Sequence, residues 1–258
     1  MKSNRRLFAF GCSFTNWIWP TWADIIAPYF DEYYNYGYSG RGNWYIYNML
    51  LNADKTYKFT KDDTVIVQWS EWTRVDELID GLWTSDILEK KYEQDILNRG
   101  FACMQSANNM LKYIGCEYYT MSLNDFDLPK ESKLNKSYVL THSRILENYQ
   151  DIVDELDPPI LKYLDSNRPI KLYNDVELYN LHPLPSEHIK LIRLKFPQYL
   201  PRNDKVIAAV LDNQLARVFY ENQLSKFVNV DDNLSIKWQD IEWYGCKRSN
   251  KQGFLNVK

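Results

Sequence analysis

Short apolar runs alternate with helical patterns along the first two thirds of the chain, and most runs end in a turn. Leu7-Phe8-Ala9-Phe10 is stopped by Gly11 and reads as a buried strand entering a tight turn. Trp22, Ile25, Ile26 and Tyr29 then recur at helical spacing behind Pro20-Thr21, with Thr21 placed to cap and Pro28 closing the pattern. Glu32-Tyr33-Tyr34-Asn35-Tyr36 predicts a second strand, followed by the glycine-rich turn Gly37 to Asn43 and a helix from Trp44 to Leu51. Thr64-Val65-Ile66-Val67-Gln68-Trp69 has three β-branched residues ahead of an apolar end, which marks a central strand. Residues 93–113 keep an apolar face through Ile96, Leu97, Phe101, Met104 and Leu111, with Gly115 as the stop and Glu117-Tyr118-Tyr119-Thr120-Met121 as the next strand. This alternation predicts an α/β fold, a layered sandwich around a mainly parallel sheet whose ligand site lies at the carboxyl ends of the strands.

The later chain is less regular. Residues 122–180 are rich in Asp, Asn, Lys and Pro and read as an insertion or lid with a helix near 142–156. An amphipathic stretch after His188 reaches Leu194, and Pro197 and Pro201 bracket a break. Val206, Ile207, Val210, Leu211, Leu215, Val218 and Phe219 mark a further helix. The expected organisation is a main domain over 1–200, interrupted at 122–180, and a helical C-terminal extension over 201–258.

Composition narrows the function. Thirty-one Lys and Arg stand against 34 Asp and Glu, a net charge of −3, so no basic footprint is present for a phosphate backbone and no nucleic-acid partner is expected. The apolar run before Gly11 is too short for a signal peptide, and no run of about 18 apolar residues predicts a membrane span, so a soluble, cytoplasmic-type chain is expected. Four cysteines without a C-x-x-C pair imply neither a zinc ribbon nor a disulfide framework. Aromatic residues make up 16 % of the chain, in keeping with a carbohydrate- or protein-binding face and equally with a bulky core.

Of only nine glycines, Gly11, Gly37, Gly40 and Gly42 fall in the turns after the first two predicted strands. Gly11-Cys12-Ser13-Phe14-Thr15 puts the Ser13 hydroxyl at the carboxyl edge of the sheet and near a helix N-terminus, where a serine acts as a nucleophile or simply caps the helix. Cys12 reads as a small buried residue in the turn, with a reactive thiol as the alternative. Trp17-Ile18-Trp19-Pro20-Thr21-Trp22 fits a sugar platform or helix-to-sheet packing. His142 reads as a surface histidine, and His188 as a packing or capping residue at a helix start.

The stretches Gly11-Cys12-Ser13, Asn35 with Gly40 five positions on, Gln68-Trp69-Ser70-Glu71, and His182-Pro183 with His188 six positions on, taken in this order, resemble the SGNH hydrolases, the GDSL-type esterases and lipases. The resemblance covers about residues 7–196. It implies a three-layer, flavodoxin-like sandwich and a serine esterase that needs no metal or other cofactor, acting on a small-molecule or glycan ester. By residue, it implies Ser13 as nucleophile, His182 as base and the backbone N–H groups of Ser13 and Gly40 as oxyanion donors. Two positions depart from the family pattern. Ser70 stands in the block that should supply an oxyanion Asn, so its hydroxyl or the Trp72 indole N–H is the replacement. No Asp precedes His182, so Asn180 is assigned the orienting role, with Asp175 and Glu177 as nearby carboxylates. Trp69, Trp72 and Asn43 are assigned to substrate contact. The departures keep two alternatives open, a non-catalytic binding or structural protein on the same fold and an acyltransferase using the same site. The turn is not the Gly-x-Ser-x-Gly elbow of the α/β-hydrolases, since Thr15 fills the last glycine position.

Overall fold

The computed structural model describes residues 4–80, 82–87, 93–126, 136–156, 159–163, 170–171, 177–178, 182–221, 241–247 and 249. In chain order its elements are β1 (Arg6–Phe10), α1 (Trp22–Ile26), β2 (Glu32–Asn35), α2 (Asn43–Tyr57), β3 (Thr64–Trp69), β4 (Arg74–Ile79), β5 (Leu82–Ile87), α3 (Glu93–Ile114), β6 (Glu117–Ser122), α4 (Lys136–Asn148), α5 (Gln150–Leu156), β7 (Ile170–Lys171), β8 (Glu177–Leu178), α6 (Pro185–Lys195) and α7 (Asp204–Glu221). The central sheet has the order β2-β1-β3-β6 and every pairing in it is parallel. Two antiparallel pairs, β4 with β5 and β7 with β8, lie outside it.

Strand alternation builds the two cores. Leu7 and Ala9 of β1 and Ile66 of β3 face one side, where α1, α6 and α7 supply Trp22, Ile25, Ile26, Ile189, Ile192, Leu211 and Leu215. Phe8, Phe10, Val65, Val67 and Trp69 face the other, against Ile46, Met49 and Leu50 of α2, Leu97, Phe101 and Met104 of α3, and Ile152 and Leu156 of α5. With both faces covered, β3 is buried from end to end, which is why Val65, Ile66 and Val67 stand in a row in its middle and why the amide of Gln68 is hydrogen-bonded inside, to Thr15 and Cys12. The result is the α/β three-layer sandwich that the sequence predicts, and β2-β1-β3 is the start of the flavodoxin-like order.

Several expectations change in detail. The single helix expected near 142–156 is two, α4 and α5, with Tyr149 between them. The helix expected from Trp44 to Leu51 starts at Asn43 and continues for six residues more, to Tyr57. The β4–β5 hairpin was not foreseen. Its turn carries Asp80 at φ 50°, in the left-handed region, within an Asp80-Gly81 pair that favours two-residue hairpin loops. His142, expected at the surface, is 3 % exposed; its Nε2 lies 2.7 Å from the Phe126 carbonyl oxygen and its ring packs on Trp72. A carbonyl can only accept, so that nitrogen carries the proton. No described helix is long and apolar enough to cross a membrane.

Candidate active site

Three strand ends converge on the site. Phe10 of β1 pairs with Val67 of β3, and Ser13 and Ser70 each lie three residues beyond that pair, on the segments that leave the carboxyl ends of these two neighbouring strands. Asn35, the last residue of β2, pairs with Ala9. It ties the two flanking turns together: its Nδ2 donates to the Thr15 carbonyl at 2.9 Å while its Oδ1 accepts the Gly37 N–H at 2.9 Å. Asn16 Nδ2 donates back to the Gly37 carbonyl at 2.9 Å. The turns approach so closely that a Cβ on Gly37 would lie 2.8 Å from Asn16 Cβ and 2.9 Å from Asn16 N and Thr15 Cβ.

The Ser13 turn is closed by Thr15 N–H and Asn16 N–H donating to the Cys12 carbonyl. The first regular helix begins only at Trp22, so Ser13 does not stand at a helix N-terminus as the sequence suggested. The intervening residues lie as turns and bends because Thr15, Trp19 and Thr21 are drawn into buried contacts. Thr15 Oγ1 donates to Gln68 Oε1 at 2.8 Å, and Thr21 Oγ1 donates to the Thr15 carbonyl at 2.6 Å. Cys12 is fully buried and its Sγ accepts from Gln68 Nε2 at 3.4 Å, which makes it a turn-filling residue.

His182 is held against this turn by its tryptophans. Its ring stacks on Trp17 at 3.6 Å between centroids with planes 10° apart, and the Phe14 ring lies 5.5 Å away. Trp19 Nε1 donates to the carbonyl of Pro183, the next residue, at 2.8 Å. Trp19 and Trp22 are fully buried, so most of the Trp-rich stretch is packing and Trp17 is the cover of an imidazole. Burial first, and the charge of Arg74 second, push His182 down to about 4. His188 lies wholly inside, on α6, and burial, with His182 as a second cause, takes it to about 3. Both rings are therefore neutral at pH 7, and His182, the more exposed of the two, is unprotonated and able to accept a proton there.

Among the described residues the Ser13 hydroxyl makes no hydrogen bond, to His182 or to anything else, and neither do the N–H groups of Ser13 and Gly40. Gly40 sits at φ 76° on an exposed turn, a conformation that suits glycine and leaves open space where a side chain would be. Ser70 differs: its N–H donates to Asn43 Oδ1 at 2.7 Å, and its Oγ accepts from Arg74 Nη1 at 3.0 Å. Arg74 was not singled out from the sequence. It opens β4, folded back on Ser70 by a turn in which its N–H donates to the Glu71 carbonyl at 3.2 Å.

Beside Ser70 a cavity of about 350 Å³ is lined by Asn43, Trp44, Tyr47, Trp72 and Arg74, among others. Because Asn43 turns its oxygen to Ser70, its Nδ2 is the end left for the cavity. Asp76, also on the wall, is committed elsewhere: its two carboxylate oxygens accept the N–H groups of Gly42 and Tyr45 at 2.7 and 2.8 Å, holding the first turn of α2 from outside the helix. Of the three residues assigned to substrate contact, Asn43 and Trp72 line the cavity, whereas Trp69 is fully buried in the core and offers no surface to a substrate. Asn180 and Asp175 lie outside the described residues. Glu177 is in β8, where only its backbone is described.

No family model matches the chain, and no curated protein matches it. Solved structures do. The chain is similar to a protein of Bacteroides fragilis assigned as an acylhydrolase, at 13 % identity and a TM-score of 0.42 over 77 % of this chain and 87 % of that one. It is also similar to a GDSL-like lipase of Bacteroides thetaiotaomicron, at 15 % identity and a TM-score of 0.40 over 77 % and 88 %. The chemistry proposed below rests on the site's own residues.

Proposed function

We propose that the chain is a serine ester hydrolase of the SGNH type, with Ser13 as nucleophile and His182 as general base. The observation that carries this reading is the state of the groups at the strand ends. A serine on a tight turn, a desolvated neutral imidazole against that turn, and two backbone N–H donors without described acceptors stand at one edge of the sheet.

In the proposed reaction His182 takes the Ser13 proton as Oγ attacks the ester carbonyl. The Ser13 and Gly40 N–H groups donate to the oxyanion that forms, and collapse of the adduct releases the alcohol with the proton from His182. Water, deprotonated by the same imidazole, then attacks the acyl-enzyme, and the carboxylic acid leaves while Ser13 recovers its proton. The orienting role on the second imidazole nitrogen stays with Asn180 as the sequence assigns it, at a position outside the described residues. An amide can fix the ring there without stabilising its cation as a carboxylate would, so a slower enzyme is expected than one with a full triad.

The neighbouring cavity supports an O-acylated sugar as the substrate. Trp44, Tyr47 and Trp72 supply aromatic lining, and Asn43 Nδ2 and the Arg74 guanidinium offer only donors, which suits a ligand rich in hydroxyl and carbonyl oxygens. The test is release of acetate from acetylated glycans and from a chromogenic acetate ester by wild type beside Ser13→Ala. Turnover by wild type alone supports the esterase. A second reading, a glycan-binding protein on the same fold, is favoured by the unbonded Ser13 hydroxyl; it predicts equal glycan binding and no turnover by both proteins.

A further inference from the structure

The strongest feature outside the resemblance is the hairpin arginine on Ser70. Ser70 follows β3 and is almost wholly buried, at 2 % exposure. Its N–H is spent on Asn43 Oδ1, so the one donor that it retains is the hydroxyl proton. That hydroxyl already accepts from Arg74 Nη1, and among the described residues nothing accepts from it. A hydroxyl that accepts from a cation is polarised toward giving its own proton in a hydrogen bond, and the direction left to it is away from the guanidinium.

Arg74 itself has an unusual set of partners. Nη1 donates to Ser70 Oγ and, at 3.3 Å, to the Arg41 carbonyl, both uncharged acceptors. The described residues give it no carboxylate within ion-pair distance, although Asp76 is only two positions away and buried; both oxygens of that carboxylate are held by the start of α2. Among the described residues this guanidinium has no ion-pair partner, and it stands beside the strand end that carries Ser70, in the electrostatic range of His182.

We propose that Arg74 is a positioning residue that makes the Ser70 hydroxyl the third oxyanion donor, replacing the side-chain amide that the related pattern has at this block. Arg74 touches Ser70 and not the reacting atoms; it fixes the Oγ rotamer, aims the proton and places a positive charge behind the developing negative one. No bond to Arg74 forms or breaks. The proposal rests on the ester-hydrolase reading; of the two donors the sequence offered at this block it takes the Ser70 hydroxyl, and it adds the residue that holds it.

The experiment compares kcat and KM for a chromogenic acetate ester in wild type, Ser70→Ala, Arg74→Gln, Arg74→Ala and the double variant Ser70→Ala/Arg74→Ala, each checked for folding by circular dichroism. Expected are losses of about 10²–10³ in kcat for Ser70→Ala and a similar loss for Arg74→Ala, with KM changed less than about threefold. The double variant falls no further than the worse single one, because the two side chains act as a unit. Added guanidinium ion restores Arg74→Ala and leaves Ser70→Ala unchanged. Additive losses, a change confined to KM, or Arg74 variants within about threefold of wild type overturn the role of Arg74 while leaving the Ser13 reading intact. A folded wild type that neither turns over nor labels at Ser13 removes both. If Arg74→Ala does not fold, Arg74→Gln, which keeps a donor without the charge, carries the same comparison.

Discussion

Trp17→Ala tests how the site prepares its base. Trp17 covers one face of the His182 imidazole at stacking distance, and burial is the larger cause of the fall of His182 from 6.5 to about 4, ahead of Arg74. That fall weighs on the order of 3 kcal/mol against the charged ring. Trp17 shields one of two faces, and Phe14, Trp19 and Arg74 remain, so removing the indole is expected to return roughly one unit, about 1.4 kcal/mol. Proton NMR can follow this directly, because the chain has three histidines and His142 and His188 are both buried. The imidazole C2 proton of His182, identified by its loss in His182→Gln, should titrate at about 4 in wild type and near 5 in Trp17→Ala. The same shift should appear in the acid limb of kcat/KM. The sign on stability follows: the unfolded chain takes up this proton near 6.5 and the folded chain only near 4. The folded state is thus favoured above 6.5 and loses that advantage as pH falls toward 4, so folding is monitored through the titration. A wild-type His182 that titrates near 6.5, or one that Trp17→Ala leaves unmoved, refutes the desolvated-base argument.

Two further substitutions test the scaffold. Gly37→Ala forces a methyl against Asn16 and Thr15, atoms that cannot give way without moving the Ser13 turn; a loss of about 1–3 kcal/mol is expected, read as a lower midpoint in urea unfolding, together with reduced turnover. Asp76→Asn keeps the shape but removes the charge and one of two accepting oxygens at the start of α2, with an expected cost of about 1–3 kcal/mol in the same assay and a weakened hold on the turn that carries Gly40.

How much of this was readable in the residues depends on the range of the forces involved. β3 matched its expected span from Thr64 to Trp69 because burial on both faces selects the β-branched row Val65-Ile66-Val67 that marked it, and α3 followed its 3.6-residue face. The turns after β1 and β2 were legible from Gly11 and from the cluster Gly37, Gly40 and Gly42. The β4–β5 hairpin was not, since Arg74-Val75-Asp76-Glu77-Leu78-Ile79 mixes charge with apolar residues and half of it faces solvent. Its one local signal was Asp80-Gly81 between apolar flanks, and reading it would have led to Arg74 and Asp76. His142 was misplaced for a related reason: a single histidine carries no pattern, and only the fold brings the Phe126 carbonyl and Trp72 to it. Trp69 was expected at the substrate because it ends a strand at the active edge, but strand alternation turns it into the core with Val65 and Val67.

The central claim is that Ser13 is a nucleophile activated by His182. Its most direct test is intact-mass analysis after exposure to a fluorophosphonate at neutral pH, with the modified peptide sequenced. One adduct on wild type at Ser13, none on Ser13→Ala and a much slower reaction for His182→Gln is the result predicted. A folded wild type that stays unmodified, or a Ser13→Ala protein modified as readily as wild type, contradicts it.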